Sequence, residues 1–154
     1  VCRVNFRGVG KSDGEFDNGQ GELADAAAAL DWLERENFDN SQCWVSGFSF
    51  GSLIAMQLLM RRPELNGFIS ISPPANIRDF SFLAPCPSSG LIVHGDKDNI
   101  ASFDSSKILA EKLQKQKKVD IKFKPIKGAD HFYENYSEEF SNIVDSYIKD
   151  SLKS

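Results

Sequence analysis

The chain has 154 residues, of which 41% are hydrophobic and 26% charged, a composition typical of one soluble globular domain. Its net charge of −4 argues against nucleic acid or an anionic membrane surface as a partner. Three widely spaced cysteines form neither a disulfide framework nor a metal pattern, and no apolar run is long enough to cross a membrane. We therefore expect a cytoplasmic protein without a metal ion.

The first third of the chain contains one predicted strand and one predicted helix. The apolar run at 1–6 predicts a strand that is already under way where the sequence starts. We therefore expect a single domain over 1–154 whose N-terminal portion lies upstream. Glycine-rich turns follow, and an alanine-rich helix is predicted from 22 to about 36 by apolar residues at helical spacing: Leu23, Ala26, Ala27, Leu30 and Leu33.

Short apolar strands and helices alternate in the remainder. Strands are predicted before Gly47 and at 67–72, 90–94 and 119–126, and helices at about 53–61, 102–117 and after Tyr136. Pro125 predicts that the last strand lies at an edge of the sheet. Because several strands are continuous apolar runs, we expect an α/β fold, a mostly parallel twisted sheet with helices on both faces.

The most informative stretch is Gly47-Phe48-Ser49-Phe50-Gly51, which lies between a strand and an apolar helix. This order is typical of a nucleophile elbow, where a strained turn exposes the serine hydroxyl. We expect both glycines to allow backbone approach that a Cβ would prevent. The amide of Phe50 and the helix N-terminus would then face an oxygen that becomes negative. The alternative is an ordinary turn serine.

A serine nucleophile needs a base, and the chain has two histidines. His131 stands in a loop between a strand and a helix, where reactive groups gather in doubly wound sheets. His94 ends a strand and is interpreted as a structural residue. His131 is therefore the predicted base.

The base in turn needs a carboxylate that fixes its tautomer. Asp98 lies a few residues beyond the 90–94 strand, where a loop can direct it toward an imidazole. Asp96 is interpreted as a turn former, and Asp130 as solvated or capping. With Asp98 as the acid, the residues follow the order Ser…Asp…His.

The motifs GFSFG (47–51), HGDKD (94–98) and GADHF (128–132) resemble the α/β-hydrolase superfamily over essentially the whole chain. The leading motifs NFRGVGKSDG (5–14), GQGE (19–22) and DWL (31–33) are similar to a bacterial branch of small, capless, dienelactone-hydrolase-like predicted hydrolases. The resemblance implies Ser49, Asp98 and His131 as nucleophile, acid and base. It also implies the Phe50 N–H as half of an oxyanion hole, with the other half supplied by an upstream loop.

The expected function is a serine hydrolase that forms an acyl-enzyme with a small carboxylic ester or a related acyl substrate, with neither metal nor cofactor. We expect an open site bordered by Phe48, Pro73, Pro74 and the loop at 80–82, although these side chains suit a core equally well. The alternatives are a peptidase of the same fold and a non-catalytic scaffold that serves as a binding module.

Two further readings concern the glycine-rich run after the first predicted strand. A phosphate loop ending in Gly-Lys-Ser would need a glycine at Asn5, and a dinucleotide fingerprint would need one at Asp13. The run is therefore interpreted as a loop that borders the site. Arg7 either holds an acidic group of the substrate or pairs with Glu22 or Asp25.

Overall fold

The computed structural model describes residues 1–39 and 42–153. Along this part of the chain, helices alternate with strands in the order α1 (Gln20–Glu36), β1 (Trp44–Phe48), α2 (Phe50–Arg61), β2 (Gly67–Ile71), β3 (Gly90–Gly95), α3 (Phe103–Gln114), β4 (Ile121–Ile126) and α4 (Ser137–Leu152). The elements predicted after residue 20 are therefore confirmed, with ends that differ by a few residues.

The strands described in these residues form one parallel sheet in the order β1-β2-β3-β4. Trp44 pairs with Gly67, Phe68 with Gly90, and Gly90 with Ile121. The prediction of a parallel sheet with Pro125 on an edge strand is confirmed. Since all the strands run the same way, the loops after β1, β2, β3 and β4 meet at one edge of the sheet.

Helices cover both faces of the sheet, because alternate residues of a strand point in opposite directions. Phe68 and Ile92 belong to a core that includes residues of α1, α2 and α3. Ile69, Leu91 and Val93 face the other side, where apolar residues of α4 pack against them. Both cores hold the strand ends in fixed positions relative to one another.

Helix α2 is the most deeply packed helix, as its apolar sequence predicts. Its buried residues are Ser52, Leu53, Ile54, Ala55, Met56, Leu58 and Leu59. Each of its large apolar side chains stabilises the fold by about 1.5–3 kcal/mol on burial. The residues at its N-terminus are therefore held rigidly.

No helix in the described ranges combines the length and apolar character that crossing a bilayer requires.

The N-terminal segment differs from the prediction, since residues 1–6 form no strand. Val1 and Val4 are exposed, and among the described strands β1 pairs with β2 alone. A strand needs a neighbour for its N–H and C=O groups, which an apolar pattern does not supply. The segment is instead attached at Arg7, whose backbone and guanidinium N–H groups donate three hydrogen bonds of 2.9–3.0 Å to Asp25. Arg7 therefore forms the salt bridge with Asp25 that was one of its two predicted roles.

Candidate active site

Ser49 lies in the turn between β1 and α2 with φ 54° and ψ −120°. A non-glycine residue in such a conformation costs about 1–3 kcal/mol. Hydrogen bonds on both sides of the turn compensate for this strain. The Ser49 N–H donates to the Ile71 carbonyl at 2.8 Å, and the N–H and Oγ–H of Ser52 donate to the Ser49 carbonyl at 2.9 and 2.7 Å.

The two glycines of the elbow have different roles. A Cβ on Gly47 would clash with the backbone of Gly51, so this position requires glycine. A Cβ on Gly51 would meet nothing closer than the Phe6 ring at 4.0 Å. The expectation of close approach is confirmed for Gly47 and wrong for Gly51, because a Cβ on Gly51 would face the Phe6 ring and not the backbone of β1.

The structure brings Ser49, His131 and Asp98 together, although 82 residues separate the first two. His131 Nε2 lies 3.0 Å from Ser49 Oγ, and His131 Nδ1 lies 2.7 Å from Asp98 Oδ2. The side chain of Asp98 is 0% exposed and that of His131 is 4% exposed. The three side chains therefore form one hydrogen-bonded line that reaches the half-buried serine from a dry interior.

Hydrogen bonds keep the buried Asp98 carboxylate ionised. Its Oδ1 accepts the N–H groups of Ile100 and Ala101, both at 2.8 Å. Burial by itself would raise the pKa of Asp98, but the bonds from His131, Ile100 and Ala101 outweigh burial and hold that pKa below its ordinary value. An ionised Asp98 assigns the proton of neutral His131 to Nδ1, so that Nε2 is free to accept the hydroxyl proton of Ser49.

The other two candidate acids hold loops and do not contact His131 through their carboxylates. Asp96 accepts the Gly128 N–H at 2.7 Å, and Asp130 accepts the Glu134 N–H at 2.9 Å. The interpretation of Asp96 as a turn-forming residue is therefore confirmed, whereas Asp130 holds the turn before α4 and does not cap that helix, whose N-cap is Tyr136. The Asp96 bond also joins the loop after β3 to the loop after β4, which fixes the distance between the acid and the base.

His94 is buried, which agrees with its interpretation as a structural residue, but its contact with Asp98 was not predicted. Its Nε2 lies 3.0 Å from Asp98 Oδ2 and 3.0 Å from the Ala101 carbonyl oxygen, and its Nδ1 lies 2.6 Å from Ser106 Oγ. The four-residue spacing of His94 and Asp98 was the signal in the sequence for this contact. A turn closed by the bond from the Asp98 N–H to the Gly95 carbonyl folds the acid back over the end of the strand.

Two partly exposed phenylalanines flank the candidate base. The rings of Phe48 and Phe132 each lie 5.0 Å from the His131 ring, centroid to centroid, and 5.9 Å from one another. Phe48 is 40% exposed and Phe132 is 66% exposed. They shield the imidazole from water and present apolar surface beside Ser49. The prediction that Phe48 borders the site agrees with this position.

The side of the site around Phe50 carries positive character. As the first residue of α2, Phe50 has an N–H without a partner inside the helix, and the helix dipole adds to it. The Phe50 ring contacts Phe16 at a centroid distance of 5.5 Å, and Arg78 Cζ lies 5.5 Å from its centroid. An oxygen that becomes negative beside Ser49 would be stabilised on this side.

The two prolines do not border an open site, contrary to expectation. Pro73 and Pro74, which begin the loop after β2, are both buried. The Pro73 carbonyl accepts the Ala75 N–H at 2.9 Å and lies 3.0 Å from Ser106 Oγ. Phe80, also expected at the border, is 4% exposed and belongs to the core. Their side chains are packed against the protein and offer no surface to a substrate.

A surface groove lies apart from the three aligned residues. A groove of about 950 Å³ on the described surface lies between β4 and α4, where Lys124, Tyr136 and Tyr147 line it, and it includes none of the three aligned residues. In the described ranges, no group of three or more His, Cys, Asp or Glu side chains is arranged to hold a metal ion.

Solved structures define the class of protein. The chain matches a protein of unknown function from Agrobacterium tumefaciens, described as a candidate alpha/beta hydrolase, with a TM-score of 0.94 and 51% identity over 97% of this chain and 68% of that one. It also matches a lidless a/b serine hydrolase from Xanthomonas campestris with a TM-score of 0.82 and 30% identity, covering 94% of this chain and 63% of that one. The chain therefore has the α/β-hydrolase fold, as predicted.

The family follows from the sequence. The model of the family described as X-Pro dipeptidyl-peptidase (S15 family) matches residues 1–147, and the chain belongs to this family. An uncharacterized protein of Rickettsia prowazekii is 53% identical over 152 residues, which are 96% of this chain. The chain spans 64% of the length of this curated relative. Fold, family and relatives together make it a serine-hydrolase-like member of the superfamily.

Proposed function

We propose that the chain is a serine hydrolase that acts on small carboxylic esters, with Ser49 as nucleophile, His131 as base and Asp98 as acid. The observation that carries this proposal is the hydrogen-bonded line of 3.0 Å from Ser49 Oγ to His131 and 2.7 Å from His131 to Asp98. The three free cysteines support our further proposal that it acts in the reducing cytoplasm.

The proposed reaction uses each residue at a defined atom. Ser49 Oγ attacks the acyl carbon while His131 Nε2 takes its proton, and Asp98 stabilises the resulting imidazolium. The oxyanion faces the Phe50 N–H and the N-terminus of α2. His131 then returns the proton to the leaving alcohol, and water releases the acyl group from Ser49 by the same steps in reverse order.

A peptidase of the same fold is the second candidate, and the description of the matching family favours it. A dipeptidyl-peptidase must hold the free α-amino group of its substrate, which calls for a carboxylate. The described contacts around the site are the aromatic rings of Phe48, Phe50 and Phe132 and the cation of Arg78. These groups suit a neutral or anionic acyl substrate better than a cationic one, which supports the ester.

Labelling with a fluorophosphonate, which reacts with activated serines, tests the proposal. We expect the native chain to be labelled, Ser49→Ala and His131→Ala to lose labelling, and Ser70→Ala, a buried serine outside the site, to keep it. A folded native chain that is not labelled would contradict the hydrolase proposal and favour the scaffold.

Substrate choice is tested by comparing hydrolysis of p-nitrophenyl acetate with that of an alanyl-proline p-nitroanilide. We expect Ser49-dependent turnover of the ester and little turnover of the anilide. Ser49-dependent release of nitroaniline at a rate equal to or above that of the ester would favour the peptidase instead.

A further inference from the structure

The buried imidazole of His94 contacts the same carboxylate as the candidate base. Asp98 Oδ2 lies 2.7 Å from His131 Nδ1 and 3.0 Å from His94 Nε2. His94 is 0% exposed and cannot touch a substrate. Any effect that it has on the proposed reaction must therefore pass through Asp98.

The surrounding atoms determine the tautomer of His94. Its Nε2 faces two acceptors, the Ala101 carbonyl oxygen and Asp98 Oδ2, both at 3.0 Å, so this nitrogen carries the proton. Its Nδ1 then accepts the Ser106 hydroxyl at 2.6 Å. The Pro73 carbonyl, the other acceptor near Ser106, already has the Ala75 N–H. A neutral imidazole therefore satisfies every polar group, and burial, which lowers the pKa of His94, favours that form.

We propose that His94 is a positioning residue, whose Nε2–H holds the Asp98 carboxylate so that Oδ2 points at His131 Nδ1. This inference rests on the function proposed above. The Ala101 N–H holds Asp98 Oδ1 while the Ala101 carbonyl accepts from His94, whose Nε2 also lies 3.0 Å from Asp98 Oδ2, so these contacts form a closed ring around the carboxylate. Without His94, the Ala101 carbonyl and Oδ2 both lose a buried donor, and the Asp98 loop loosens.

Two kinetic consequences distinguish positioning from general support of the fold. Because His94 does not contact substrate, its loss changes kcat and leaves KM nearly unchanged. Removal of a donor also concentrates negative charge on Asp98, which stabilises the imidazolium of His131. The acidic limb of the pH–rate profile then moves to higher pH.

The test compares two replacements of His94 of different chemistry. His94→Gln keeps an N–H donor near the Nε2 position, whereas His94→Met has similar volume and no donor. Ile92→Ala is the control, because Ile92 is buried two residues earlier on the same face of β3. Hydrolysis of p-nitrophenyl acetate gives kcat and KM. NMR of the ring N–H protons is unambiguous in the His94 variants, because the chain has two histidines and His131 is then the single imidazole.

We expect His94→Met to lower kcat about 10- to 100-fold, by analogy with the loss of a partner that orients a metal-ligating side chain, with KM within about twofold. His94→Gln and Ile92→Ala should keep both kcat and KM near native values. They should also keep the downfield Nδ1–H signal of His131, whereas His94→Met should shift or lose that signal. If His94→Met does not fold, Ser106→Ala, which removes the donor to Nδ1, should change kcat in the same direction by less.

An unchanged kcat and pH profile in His94→Met, or in Ser106→Ala where it takes its place, overturns the proposal. Equal impairment of His94→Gln and His94→Met overturns it as well, since the shape of the side chain would then matter and not its N–H. If the native chain neither hydrolyses the ester nor reacts with a fluorophosphonate, the proposed function fails. The Nδ1–H signal of His131 then tests the positioning role by itself. The same signal in the native chain, His94→Gln and His94→Met refutes that role.

Discussion

The two halves of the site differ in burial and in the interactions that hold them in place. The acid–base half, formed by Asp98, His94 and His131, is buried, and its carboxylate faces four N–H groups from its own chain. The nucleophile half, formed by Phe48, Ser49 and Phe50, begins on β1, whose one described partner is β2, and its residues are partly exposed. One half is defined by complete hydrogen bonding, and the other by strain and access.

The difference follows from what each half must do in the proposed reaction. A carboxylate orients an imidazole best where the dielectric is low and its own position is fixed, because both strengthen the charge interaction. A nucleophile must meet a substrate from solvent, so its geometry has to come from the backbone of the turn. Each half can therefore be disturbed separately.

Asp98→Asn should have the largest effect on the rate of labelling, and it disturbs only the acid–base half. Asn keeps an oxygen for the amides of Ile100 and Ala101 but favours the wrong tautomer of His131, so we expect fluorophosphonate labelling to slow by about 10³- to 10⁴-fold. Asp96→Asn is the matched control and should label normally, because the amide oxygen still accepts the Gly128 N–H. Retention of a tenth or more of the native rate in Asp98→Asn would remove Asp98 from the mechanism.

Gly47→Ala should disturb the nucleophile half through the backbone. The added Cβ clashes with Gly51, a backbone group that cannot move without breaking the turn, and we expect a loss of about 3 kcal/mol in the free energy of unfolding. Gly51→Ala, which has room, should be neutral or more stable by up to about 1 kcal/mol because alanine favours helix. Urea unfolding measures both, and equal losses would contradict the assignment of close packing to Gly47.

Acid should weaken the acid–base half first at His94. Burial lowers the pKa of His94 below its ordinary 6.5, so the unfolded chain binds the extra proton first as the pH falls. The contribution of neutral His94 to the free energy of unfolding is therefore fully present above about pH 6.5 and is lost below it. The slope from this one proton is at most about 1.4 kcal/mol per pH unit. The pKa of Asp98 is also lowered, so its contribution is lost only below about 3.8.

Unfolding at pH 8, 6 and 5 tests this order. His94→Gln cannot titrate and should flatten the slope between pH 6 and 5, whereas His131→Gln, which keeps His94, should retain it. The titratable groups that face His94 are Asp98 and His131. An equal slope in native protein and His94→Gln would place the titrating group elsewhere.

Local patterns predicted most of the fold. Apolar runs and helical spacing identified every described element after residue 20, and Pro125 identified the edge strand. The strand at 1–6 was wrong because strand formation depends on a neighbour, which no local pattern encodes. Pro73 was misplaced for the same kind of reason, since its carbonyl contacts Ser106 of α3, a helix that begins 30 residues later.

The candidate site was predicted as far as residue type and loop position allow. Ser49, Asp98 and His131 follow strand ends, and parallel strands bring such positions together. The role of His94 was not predicted, because it depends on a turn that returns Asp98 over the end of β3. Hydrogen-bond geometry decides such contacts, and composition does not reveal it.

The smallest predicted effect compares two buried serines and measures how the nucleophile turn compensates for its strain. Ser52 Oγ donates to the Ser49 carbonyl at 2.7 Å, whereas Ser70 Oγ is buried and has no hydrogen-bond partner among the described residues. Ser52→Ala should therefore lose about 1 kcal/mol of unfolding free energy, and Ser70→Ala should lose none or gain slightly. Ser52→Ala should also label more slowly, because the carbonyl of the strained residue keeps a single donor. Equal stabilities of the two variants would mean that the packing of α2, and not this hydroxyl, holds Ser49 in its conformation.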